Sequence, residues 1–287
     1  MSRDRVDTRT VGLEVACALA KWLTGKEHLH YGLWSGLEAT AENVGPAQDA
    51  YVARLLSLLP QQKGLRILDI GGGAGETAAH LIKLGHRVEV VVPSAYLAGR
   101  CRENAALAVV HQATFEDVEV QGAFDVCLFA ESLQYIHLDQ ALGKAKGLLV
   151  PGGVIVIGDC FRNPDGNHLH KSVRPPGGGH AIERFRHALR CEGLRIETEV
   201  DVTEAVAPSI DVEQAFFNLF GVALSGLDRE LTLKRPWLRY LGVQLLSTLM
   251  GKRRLDKAAR RVIGRDRTAN AFRQSNCYLF LRLAPVE

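Results

Sequence analysis

The residues best suited to chemistry lie in one stretch, Leu65-Arg66-Ile67-Leu68-Asp69-Ile70-Gly71-Gly72-Gly73-Ala74-Gly75-Glu76. An apolar run of strand length ends in an acid, and glycines follow at the alternate positions 71, 73 and 75. Glycine lets a turn take positive φ and lets a ligand lie against bare backbone. The helix-forming segment Thr77 to Leu84 comes next, and a helix start offers unpaired N–H groups. The pattern describes a small-molecule site at the carboxyl end of a buried parallel strand. The dinucleotide spacing G-x-G-x-x-G would put glycine where Glu76 stands, and no Gly-Lys-Ser/Thr phosphate loop is present. An acid inside the turn suits a cationic ligand better than a pyrophosphate.

Other reactive types cluster around four places. Lys26-Glu27-His28-Leu29-His30-Tyr31-Gly32-Leu33-Trp34 packs two histidines and two aromatics around one glycine. It reads either as a binding segment or as an aromatic staple holding an N-terminal helix to the core. Glu131-Ser132-Leu133-Gln134-Tyr135 leaves a strand, and Asp159 follows another at the edge where ligands of such sheets bind. Residues 161–180 form a long polar loop rich in Pro and Gly, which suggests a lid or binding loop. For its His168-x-His170, solvated histidines come first, substrate contact by His168 second, and no metal site is expected. For proton transfer the candidates are Asp159, His30, which titrates near neutral pH without large tuning, and Tyr135.

Alternating elements must position these groups. Helical spacing over 11–24 and 47–59, the latter stopped by Pro60, precedes the first strand at 65–70. Strands follow at 86–92, 106–111, 124–130, 154–158 and 194–202, with a last one at 276–283. Helices are predicted over 77–84, from 96, over 138–148 and over 181–192. The expectation is an α/β, Rossmann-like, doubly wound seven-stranded sheet, mostly parallel. It divides into an N-terminal helical segment and aromatic lid at 1–60, a core at 61–202, a helical cap at 203–275 and a final core strand at 276–287. Within the cap, 211–226 and 236–250 are apolar and helical, and 252–267 is strongly basic.

The chain of 287 residues is 47% hydrophobic, enough for one large α/β domain with an insertion. Its net charge of +3 hides an asymmetry: residues 231–275 hold twelve Lys/Arg against Asp256 and Asp266, a local +10, leaving −7 elsewhere. Six scattered cysteines without a C-x-x-C pair fit reduced thiols in a cytoplasmic protein. The charged start lacks a signal-peptide core, and no run approaches the roughly 20 apolar residues of a membrane span.

Asp69-x-Gly71-x-Gly73-x-Gly75 resembles motif I of the class I S-adenosylmethionine-dependent methyltransferases. Phe124-Asp125-Val126 with Glu131-x-Leu133, and the Pro151-Gly152-Gly153 turn before a strand, are similar to later family features in the same order. The segment His28-x-His30-Tyr31-Gly32-x-Trp34 resembles one found in sugar O-methyltransferases and, more loosely, in tocopherol and sterol methyltransferases. The resemblance implies S-adenosyl-L-methionine as cofactor and S-adenosyl-L-homocysteine as product. It places Tyr31, Asp69, Gly71, Gly73, Gly75, Ser94, Thr114, Phe115, Ala130 and Glu131 at the cofactor and Trp34 and Gln134 at the acceptor. Asp159 matches an acid that acts on the substrate hydroxyl in similar sugar O-methyltransferases, whereas Gln134 and Tyr135 stand where those have histidines. The usual ribose acid after the second strand is missing, since Val92-Pro93-Ser94 stands there. Ser94, Arg102 or Glu103 is expected to replace it, directly or through water. The expected partner is a small, hydrophobic or amphipathic acceptor, with peripheral membrane contact through 231–275 and a monomeric or dimeric chain. The competing expectations are an RNA-modifying or RNA-binding protein using the basic segment, and a non-catalytic relative of the same fold.

Overall fold

The computed structural model describes residues 8–164, 176–251, 255, 259, 261–262 and 267–286. His168, His170 and most of the basic stretch 252–267 lie outside the described residues.

The sheet is built from strands that read as apolar runs because both faces are covered. They are β1 (Arg66–Ile70), β2 (Arg87–Val91), β3 (Val109–His111), β4 (Phe124–Ala130), β5 (Leu149–Arg162), β6 (His180–Ala181), β7 (Leu194–Asp201) and β8 (Asn276–Pro285). Their order is β3-β2-β1-β4-β5-β8-β7, with β6 paired only to the tail of β5. β1 to β5 pair in parallel, and β8 runs antiparallel between β5 and β7. The strand order reverses between β1 and β4, which opens a crevice at their carboxyl ends.

Seven strands were expected and eight are present among the described residues. The eighth, β6, has two residues and forms because β5 runs on to Arg162, beyond the expected Gly158, giving His180 and Ala181 an edge to pair with. The third strand starts at Val109 rather than 106, because residues 105–108 still finish the preceding helix turn.

Helices cover both faces: α1 (Thr8–Thr24), α2 (Val44–Leu56), α3 (Glu76–Lys83), α4 (Ala95–Asn104), α5 (Leu138–Gly147), α6 (Ile182–Cys191), α7 (Thr203–Val206), α8 (Pro208–Lys234), α9 (Pro236–Met250) and α10 (Ala269–Ser275). One apolar layer holds Tyr51, Ile67, Ala78, Leu128 and Phe280, and the other holds Leu68, Phe129, Ile157, Phe185 and Leu281. The alternation along β1, β4, β5 and β8 sends successive side chains into opposite layers.

The expected cap at 203–275 is not one unit. Ser209, Ile210 and Gln214 at the start of α8 are buried, as are Ala269, Phe272 and Ser275 of α10. Within 203–275, among the described residues, the distal half of α8 and α9 stand away from the core. Among the described residues, no helix is long and apolar enough to cross a membrane.

Candidate active site

The glycine turn between β1 and α3 is shaped by four glycines with different jobs. Gly71, Gly73 and Gly75 all have positive φ, at 79°, 56° and 88°. A Cβ on Gly71 would overlap Ser132, and one on Gly75 would come within 2.8 Å of Cys101 Sγ. On Gly72 it would strike the Asp69 carboxylate, while on Gly73 it would meet open space. Gly71 and Gly75 therefore pack the turn against its neighbours, and Gly73 presents bare backbone to the cavity beside it.

That cavity measures about 650 Å³ and lies at the switch point of the sheet. Its floor is the turn from Asp69 to Ala74, one wall is Val91 to Ser94, another is Thr114 to Glu116, and the far side is Ala130 to Ser132 with Tyr135 and Ile136. Thr10, Leu13 and Ala16 of α1 and the segment Glu27 to His30 close it from above.

Asp69 is fully buried, and neither carboxylate oxygen has a hydrogen-bond partner in the protein. Burial pushes it up to about 7. Such an acid is costly to ionise alone and would be stabilised by a cationic group entering the cavity. An α-amino group carried by the ligand meets that need, and the bare turn at Gly73 admits it closely. Ser94 caps α4 by accepting from Leu97 N–H at 3.4 Å and reaches the same cavity. Arg102 and Glu103 are exposed and do not line the cavity, so of the three only Ser94 reaches it. Thr114 and Phe115 line the wall, Thr114 bonding Asp117 at 2.6 Å and Phe115 buried edge-on to Phe129.

Glu131 has φ +56°, an uncommon conformation for a side-chain-bearing residue. Its N–H donates to Gly158 O at 2.8 Å, which fixes the turn leaving β4. Its Oε1 accepts from Tyr31 N–H and from the Tyr278 hydroxyl, both at 2.8 Å. Burial pushes this carboxyl up to about 8 despite those two donors. It lines the cavity.

The structure does not bring together every residue expected at the site. His30 is engaged at both nitrogens, Nδ1 at 2.7 Å from Tyr31 O and Nε2 at 3.0 Å from His28 Nδ1, and it stacks on Tyr51. Burial, aided by His28, holds it down at about 3, so it stays neutral and holds the segment in place instead of accepting a proton. Asp159 is 1% exposed and lies outside the cavity wall. Its oxygens accept from Cys160 N–H at 2.7 Å and Gln134 N–H at 3.1 Å, tying down the turn after β4. Burial pushes it up to about 7, but it faces backbone and not the cavity. Tyr31 turns its ring to Phe272 and Tyr278, away from the cavity. Trp34 is buried and donates from Nε1 to Ser209 Oγ at 2.8 Å. It borders a different, open cavity of about 700 Å³ beside β7 and α10. Gln134 uses its backbone on Asp159 and does not line the first cavity; Tyr135 does line it and is exposed.

Several wall residues carried no sequence signal. Glu27 joins the roof and is held by Arg100 at 2.8 Å and 2.9 Å and by Asn104 at 2.7 Å. Burial opposes ionisation there, yet those donors keep its carboxyl below the ordinary range. Glu116 and Ile136 also line the cavity, as does His28 of the segment the sequence had marked. Their partners are far away in sequence, so spacing could not find them.

The family model described as "Methyltransferase domain" matches residues 68–157, the stretch from β1 through most of β5. The chain is 29% identical over 202 residues to 27-O-demethylrifamycin SV methyltransferase of Amycolatopsis mediterranei, covering 64% of this chain and 72% of that one. It is 32% identical over 112 residues to a ubiquinone biosynthesis O-methyltransferase of Bradyrhizobium, and spans 42% of that protein's length. Its fold matches geranyl diphosphate C-methyltransferase from Streptomyces coelicolor, solved with Mg2+, geranyl-S-thiolodiphosphate and S-adenosyl-L-homocysteine. The TM-score there is 0.65 at 16% identity, over 94% of this chain and 92% of that one.

Proposed function

We propose that the chain, which its methyltransferase domain and methyltransferase relatives mark as an S-adenosylmethionine-dependent methyltransferase, methylates a small hydrophobic or amphipathic acceptor, with oxygen the favoured atom. The observation that carries this is the cavity whose one end is the orphaned Asp69 carboxylate behind bare glycine backbone and whose other end is Glu131 and Tyr135. When bound, S-adenosylmethionine supplies a methyl group already activated on a sulfonium. The protein's task is to hold the reacting atoms in line and keep water out.

Asp69 holds the ligand's amino group, Gly73 backbone lies against it, Ser94 serves the ribose, and Thr114 with Phe115 forms the wall for the base. Leu13 of α1 and Ile136 exclude water from above and from the side. Glu131 is the group suited to take a proton from an acceptor hydroxyl. Its value near 8 lies close to working pH, and neither bond to Tyr31 nor to Tyr278 uses Oε2. The O-methyltransferases among the relatives support an oxygen acceptor.

The test is calorimetry with S-adenosylhomocysteine, followed by incubation of methyl-labelled cofactor with organic-soluble cell extract. Binding and transfer of label into an extractable product are expected, and failure to bind would refute the cofactor site. Glu131→Gln keeps both donors satisfied and should lower turnover by roughly a hundredfold while leaving S-adenosylhomocysteine affinity unchanged. Unaltered turnover would remove Glu131 from the chemistry.

A further inference from the structure

The distal half of α8 and all of α9 form a hairpin that leaves the core through a narrow neck. Gly221 is buried there, where a Cβ would come 2.5 Å from Val262 O, and Gln214 Nε2 donates to Arg261 O at 3.2 Å. Beyond the neck the hairpin exposes apolar side chains: Trp237 at 57%, Tyr240 at 63% and Leu245 at 61%, with Leu238, Leu241, Val243 and Leu246 also exposed. At 100° per residue these seven occupy every side of α9, and a helix apolar all round is one that something covers. Val222, Leu224, Leu227 and Leu233 of α8 extend the patch.

Charge decides what covers it. Residues 222–262 contain ten Lys/Arg against Asp228, Glu230 and Asp256, a net +7. Asp228 and Glu230 are already paired inside the hairpin, with Arg239 at 2.7 Å and Lys234 at 2.6 Å. Two copies laid together would bring two net-positive segments against each other, which disfavours self-association. An anionic bilayer surface offers phosphates to the cations and an apolar boundary to α9. Trp and Tyr suit the headgroup level. At 15 residues, α9 lies on a bilayer and does not cross it.

We propose that the α8–α9 hairpin docks the protein on an anionic lipid surface. α9 lies at the boundary between headgroups and acyl chains, with Arg235 on the phosphate side. This docking does not depend on which molecule is methylated.

Flotation of the full chain with vesicles tests it. Co-flotation with phosphatidylcholine–phosphatidylglycerol vesicles is expected, not with phosphatidylcholine alone, and it should weaken as salt rises. Trp237→Glu with Leu241→Glu should abolish co-flotation, and Arg229→Glu with Arg235→Glu should weaken it about tenfold. All four sites are outside the cavity wall, so S-adenosylhomocysteine affinity should be unchanged and reports that each variant is folded. The proposal is overturned if the intact chain stays with the unbound fraction. It is equally overturned if the double glutamate variant still floats, or if the chain is a dimer that this variant splits without any vesicle binding.

Discussion

Gly71 and Gly73 stand two residues apart in one turn and would answer a side chain in opposite ways. Gly71→Ala drives a Cβ into Ser132 at a positive φ and should lower the melting temperature along with ligand affinity. Gly73→Arg points into the cavity and should abolish S-adenosylhomocysteine binding with far less loss of stability; equal loss of both in the two variants would refute the division. Asp69 gives a pH signature. Unfolded, it ionises at its ordinary 3.8, whereas the folded site keeps the proton up to about 7. The folded state binds more protons in that window, so this contribution to stability falls as pH rises through it. Glu131 and Asp159, raised to about 8 and 7, act in the same direction. The ligand-free melting temperature should therefore decline from about pH 6.5 to about pH 8, above the range in which buried, neutral His30 acts in the opposite direction. Asp69→Asn should flatten part of that decline while weakening S-adenosylhomocysteine by more than about tenfold, and an unchanged slope would exclude Asp69 as its source. The turn was legible because glycine and acid spacing is a local property. That Asp159 lies outside the cavity wall and that both His30 nitrogens are engaged could not be read from the sequence, because burial and packing, which decide whether an acid or imidazole is available, come from residues far along the chain.

At the scale of elements, the segment from Glu27 to Trp34 is half roof and half fastener. Glu27 to His30 closes the cavity, and Tyr31 to Trp34 is bolted to the core. Leu33 N–H donates to Ala47 O and Trp34 N–H to Ala205 O, each at 2.8 Å. Ser209 Oγ accepts from Gly32 N–H and from Trp34 Nε1. Gly32 is required because a Cβ would come 2.5 Å from that of Ala47. The staple and binding readings were both open in the sequence, and the structure divides the segment between them. Ser209→Ala strands two buried donors and should cost about 1–3 kcal/mol, measurable by urea denaturation, and should raise the ligand's dissociation constant through a looser roof. A loss of stability with no change in affinity would show that roof and fastener are uncoupled. The helices and strands of the core were legible from periodicity. β6 was not, because two residues have no period and exist as a strand only through the extended tail of β5.

For the whole molecule, the earlier boundary of a cap at 203–275 fails on packing. Removing it would take Ile210 and Phe272, both fully buried, out of the core. The separable piece runs between Gly221 and Val262, whose backbones already touch. Replacing 222–261 with a short Gly-Ser linker should leave a folded protein that binds S-adenosylhomocysteine at near the parent affinity, whereas deleting 231–275 should leave none. A collapse of the shorter deletion would mean that the hairpin supports the core after all. Sequence pattern marked the region as apolar and basic, but only the contact at the neck shows where it detaches. That contact makes the protruding arm a plug-in accessory. Its chemistry, length and charge can drift or be exchanged with little penalty to the machinery beneath, so related chains can be retargeted to new surroundings while the same reaction centre stays intact.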